Sequence, residues 1–177
     1  MKNRHGVSVV KYGIVLVLAV LLNACASSGT LQTSIPMTVK LTDYKTMLIN
    51  VSAQTPESAE EVAELEKMTI DKLREKNVFG NVVPGSTSPE AAVELRLSLK
   101  IVQLHKVSRS ARLMMGGLAG QASIVIEAEL LDVKAGKTVG GFKVEAQSSG
   151  GTVFAGTTSQ AIERAVEQIV GFVQKNV

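Results

Sequence analysis

The stretch "AVELRLSLKIVQL" (Ala92 to Leu104) decides the fold class. Val93, Leu95, Leu97, Leu99 and Ile101 fall on one side of an extended chain, and Glu94, Arg96, Ser98 and Lys100 on the other. Alternation of period two predicts a strand with one buried face and one solvated face. The phase slips after Ile101, where Val102 and Leu104 take the apolar positions, and this predicts a bulge. "SIVIEAELLDV" (Ser123 to Val133) and "TVGGFKVEAQS" (Thr138 to Ser148) alternate as well, and "KAGK" (Lys134 to Lys137) joins them as a hairpin turn. Upstream, Met47, Leu48, Ile49 and Val51 mark a first strand, and "VFGNVVPGSTSPE" (Val78 to Glu90) a short extended piece with a turn.

Two segments carry the helical period instead. In "TPESAEEVAELEKMTIDKLREKN" (Thr55 to Asn77), Thr55 reads as a cap, Pro56 suits the first helical position, and Glu57, Glu60 and Glu61 favour the positive end of the dipole. Val62, Leu65, Thr69 and Leu73 share one face, and Asn77 is a stop. In the last segment, Thr157 and Gln160 have capping-box spacing, followed by a stripe of Ile162, Val166, Ile169, Val170 and Val173. The chain has no Trp and only 3% aromatics, so the core is aliphatic. Two amphipathic helices and a sheet with one apolar face predict an α+β two-layer sandwich. The expected sheet is mostly antiparallel, with four to five strands and both helices on one face.

The start of the chain has a different character. Residues 1–11 are basic, and "YGIVLVLAVLL" (Tyr12 to Leu22) is an apolar run too short for a comfortable membrane span. Leu22, Asn23, Ala24 and Cys25 then close the segment. This arrangement resembles the lipobox of bacterial lipoproteins, with Asn23 a less usual occupant of its position. The resemblance implies a signal peptide over 1–24, and lipid attachment at Cys25 as residue one of the mature protein. The partner so implied is a membrane, reached through the N-terminal lipid. Cys25 is the only cysteine, which leaves no internal disulfide. Ala26 stands where Asp in enteric bacteria resembles an inner-membrane retention signal, so the expected location is the cell outer membrane, facing the periplasm. "ASSGTLQTS" (Ala26 to Ser34) is small and polar. Residues 25–35 therefore read as a flexible tether and 36–177 as a single domain.

Charge excludes one class of partner. Lys2, Arg4 and Lys11 all precede Cys25; taking these three from the 19 basic residues leaves 16, against 16 acidic ones. The high pI therefore belongs to the leader, and nucleic-acid binding is not expected.

A second resemblance lies further along. "SRSARLMMGGLAGQASIVIEAELLDVKAGKTVGGFKVEAQSSGG" (Ser108 to Gly151), followed by the last helix, resembles the bacterial lipoprotein family called domain of unknown function 4410. The pattern is an Arg before a Gly-rich segment, a strand ending in Asp132, a turn with Gly136-Lys137, a return strand, a Gly-rich loop and a helix. That family implies placement in the envelope rather than a chemistry.

The residues themselves offer little catalysis. "GGLAG" (Gly116 to Gly120) lacks the Lys-Ser/Thr ending of a phosphate loop and precedes a strand rather than a helix. With Cys25 given to lipid, His105 is the mature chain's one histidine; there is no zinc cluster and no Cys–His pair. His105 reads as a solvated strand-end residue and Asp132 as turn chemistry. Glu127, Glu129 and Glu145 fall on the outward sheet face, for which a solvated surface is the plainer reading than a cation site. No catalytic residue, metal ligand or cofactor is expected. Arg109, Arg112, Met114, Met115 and Leu118 form the candidate partner-binding patch if exposed; apolar loop residues usually pack, so burial of Leu113, Met114, Met115 and Leu118 is the expectation. The resulting expectation is a non-enzymatic envelope adaptor or assembly factor that contacts other envelope proteins. The alternative is a carrier of a lipid or other apolar small molecule.

Overall fold

The structure, a computed structural model, describes residues 29–86, 93–115, 120–149 and 156–177. The expected signal peptide and Cys25, with Leu118 and most of "GGLAG", lie outside the described residues. The fold is α+β. Its strands are β1 (Gly29–Ile35), β2 (Thr46–Ala53), β3 (Asn81–Pro84), β4 (Leu95–His105), β5 (Ser123–Asp132) and β6 (Lys137–Gln147). Its helices are α1 (Ala59–Glu75), α2 (Arg109–Met115) and α3 (Thr158–Lys175). The strands form one six-stranded sheet in the order β1-β6-β5-β4-β2-β3.

Two expectations are corrected and a third is sharpened. The sheet is mixed: the pairings β1–β6, β6–β5 and β5–β4 are antiparallel as expected, and β2 runs parallel to both β3 and β4. The 17 residues of α1 carry the chain back to the end where β2 began, so β3 can only pair parallel. The sheet also has six strands, since Gly29–Ile35 pairs antiparallel with β6 instead of forming a loose tether. Backbone pairing to a free strand edge needs no apolar alternation, and Leu31 alone of this segment packs against the core. Finally, α2 makes a third helix, apart from the long pair, so the architecture is not a clean two-layer sandwich.

The alternation read from β4 holds in three dimensions. Leu95, Leu97, Leu99 and Ile101 are buried, and the register with β5 shifts between Ile101 and Gln103, leaving Val102 as the bulged residue. The long helices pack on each other; α1 covers β2 and β3, and α3 covers β5, β6 and β1. Every residue of the predicted α3 stripe is buried. Gln160 N–H donates to Thr157 Oγ1 at 3.4 Å, as the capping-box spacing required, while the Gln160 side chain accepts from Gly156 N–H at 2.6 Å. Thr55 does not cap α1 directly, because a 3-10 turn over Pro56–Ser58 intervenes. Asn77 ends the helix in the left-handed region with φ 51°, and Arg74 pins that end to β3 through two N–H groups on Val82 O, at 3.1 and 2.6 Å. In β6, a side chain at Gly140 would place its Cβ 2.1 Å from Met37 Sδ. The glycine leaves the space that the Met37 side chain occupies over β6.

One buried group is at odds with its surroundings. Thr69 is fully buried on the core face of α1, and its Oγ1 has no hydrogen-bond partner. Thr69→Val keeps the shape and removes the unmet hydroxyl. The expected result is a gain of about 1 kcal/mol, read as a melting temperature a few degrees higher.

Candidate functional site

Of the five residues expected to form a patch, the structure brings four onto one element. Arg109, Arg112, Met114 and Met115 all lie on α2, with Leu113. Their expected burial is overturned: Leu113 is 67% exposed, Met114 88% and Met115 57%. The root of this seven-residue helix is held firmly. Val107 is buried, with its N–H on Thr158 Oγ1 at 3.0 Å and its carbonyl accepting from Thr158 N–H at 3.3 Å. Leu113, Met114 and Met115 are thus three consecutive large apolar side chains in solvent.

A second surface is the sheet face turned away from the long helices. Ser52, Lys100, Glu127, Lys143 and Gln32 lie side by side in register across five strands. The central three alternate in sign, an arrangement that favours the pairing of neighbouring strands. Thr138 Oγ1 donates to Glu129, and Lys143 forms an ion pair with Glu145 at 2.7 Å. A groove of 440 Å³ opens on this face beside Ile35, which is 41% exposed. A larger groove of 680 Å³ runs between β1 and α3, lined in part by Leu31, Met37 and Phe172. Among the described residues no group of three or more His, Cys, Asp or Glu is placed to hold a metal ion, and no helix is long and apolar enough to cross a membrane. His105 is exposed at the end of β4.

Asp132 does the turn work read from the sequence, and more. Its Oδ1 accepts from Ala135 N–H at 2.8 Å, and its Oδ2 accepts from the Tyr44 hydroxyl at 2.9 Å. The Ala135 N–H and then Tyr44 hold its carboxyl below the usual carboxylate range. Tyr44 is pushed up to about 12, first by burial and then by its bond to Asp132. The pair was illegible in the sequence because 88 positions separate its members. Since Tyr44 is favoured as the neutral phenol, its contribution to stability is complete below a pH of about 10 and is lost as pH rises through about 12. Tyrosinate absorbance of a chain beginning at residue 25, where Tyr44 is the one tyrosine, should show a midpoint near 12 when folded. In denaturant the midpoint should fall to about 10.

Among solved structures, the chain is similar to a single-substitution variant of the PelC dodecamer from Paraburkholderia phytofirmans, with a TM-score of 0.54 at 17% identity over 80% of this chain and 95% of that one. The PelC dodecamer from the same organism in another crystal form gives 0.52 at 15% identity, over 84% and 96%. Lipoprotein GNA1162 from Neisseria meningitidis gives 0.42 at 13% identity, over 73% and 98%. The first two share the fold. No curated protein matches the sequence. Residues 49–152, from β2 through β6, match a single family over more than half of the 177 positions. The chain therefore belongs to the family described as domain of unknown function DUF4410.

Proposed function

We propose that this protein is a non-enzymatic lipoprotein of the bacterial envelope, anchored through Cys25 to the periplasmic face of the outer membrane, that acts as an adaptor or assembly factor. The observation that carries this reading is the sheet face left uncovered by the long helices, crossed by the Lys100–Glu127–Lys143 row. A ridge of alternating charge on a rigid sheet selects a partner by complementarity rather than by bulk burial. Copies of the same chain are among the candidate partners, because the fold it shares with PelC is described there as a dodecamer.

The test is cross-linking in intact cells, mild solubilisation and quantification of what co-purifies. The control is a Cys25→Ser chain exported behind an ordinary cleavable secretory signal. Stoichiometric envelope proteins, or multiples of the chain itself, should appear and be lost with Lys143→Glu. Absence of protein with bound lipid detected by mass spectrometry would replace this reading by the carrier one, with the 680 Å³ groove as its site.

A further inference from the structure

We infer that α2 is a second membrane contact, seating the end of the sheet from which it projects on the phospholipid surface. The inference rests on the reading of Cys25 as the lipid anchor. Strand register places the two features together. Gly29 pairs with Ala146, Ala146 with Ile124, and Ile124 with Leu104. The first residue of β1 and the last residues of β4 therefore lie at one end of the sheet. The three strand spacings between them come to about 15 Å. Arg109 opens α2 four positions after His105. From the other side, Cys25 stands four residues before Gly29, a reach of at most about 14 Å. A lipid on Cys25 thus holds this end of the domain close to the bilayer, and α2 projects from it.

The chemistry of α2 suits that position. Leu113, Met114 and Met115 are the apolar part, and all three are exposed where the stripe of α3 is buried. The segment from 95 to 126 contains no acidic residue, and α2 itself carries Arg109 and Arg112. Glu61, which reaches toward this end, is neutralised by Lys106 at 2.8 Å, and Glu60 is exposed. A short basic and apolar element beside an acyl anchor supplies the second signal that stable, oriented membrane binding uses. Seated this way, the strands stand on the bilayer and the charged sheet face looks sideways, open to neighbours.

The chain has no tryptophan, so one substitution introduces a unique reporter. The lipidated protein carrying Met114→Trp would be reconstituted on vesicles of phosphatidylethanolamine and phosphatidylglycerol with brominated acyl chains. Ala135→Trp, in the turn at the far end of β6, is the control. The expected result is a blue-shifted emission at 114, quenched by half or more, with 135 reading as an indole in water. Suppose the protein floats with the vesicles and intact mass shows lipid on Cys25, yet 114 reads as water. The inference then falls, the anchor stands, and α2 becomes a protein-docking element. An unmodified Cys25, with neither variant floating, would remove both. Quenching unchanged on purely zwitterionic vesicles would overturn the part assigned to the arginines.

Discussion

Phe142→Ala is expected to lower the melting temperature of the domain by roughly 10 °C. Phe142 is 1% exposed and stacks on Phe172 with ring centroids 4.1 Å apart, joining β6 to α3. Truncating a buried phenylalanine costs about 3–5 kcal/mol, from lost transfer energy plus the cavity left behind. For a domain of this size each kcal/mol shifts the midpoint by about 2–4 °C. The site has little means to collapse, because Ala128 and Thr33, its register partners on β5 and β1, are small. Phe172→Ala should be milder, since Phe172 is more exposed, at 8%. The double variant should cost less than the two singles added, because they share one contact. Thermal unfolding followed by circular dichroism decides it; a drop of only a few degrees for Phe142→Ala would mean that this contact does not hold α3 to the sheet.

The largest functional effect is expected at Cys25. Without its sulfur there is no atom to accept the thioether, so Cys25→Ser should abolish labelling by palmitate and leave the 24-residue leader in place. Each acyl methylene contributes about 0.8 kcal/mol of membrane binding, so the whole contribution of the lipid is lost and only the uncleaved apolar run is left to hold the chain. Labelled fatty acid in growing cells and intact mass of the purified chain read the two effects separately. Retained labelling, or cleavage at another position, would refute the assignment.

The elements that repeat a pattern over many residues were legible in advance. Strands β4, β5 and β6 show their alternation because each has one face in the core and one in water, which writes burial directly into residue type. The bulge at Val102 was legible for the same reason: an extra residue shifts the phase of that pattern. The strand β1 was not. At a sheet edge, with mostly exposed side chains, it is held by backbone groups that every residue carries, so "TLQTS" looks like a tether. The exposure of Leu113, Met114 and Met115 was hidden too, because apolar character records an affinity for apolar surroundings without saying whether the fold supplies them.

By itself, the sequence determined the strand and helix faces, the aliphatic core, the turn at Asp132 and the family resemblance carried from Ser108 onward. Apart from the resemblance, those features are local, set by residue type and spacing within a dozen positions. Only the tertiary structure decided that β2 runs parallel to its neighbours, that Tyr44 meets Asp132, and that β1 and α2 share one end of the sheet. Each depends on how distant segments are brought side by side, and the backbone hydrogen bonding that sets the strand pairings leaves no mark in side-chain composition.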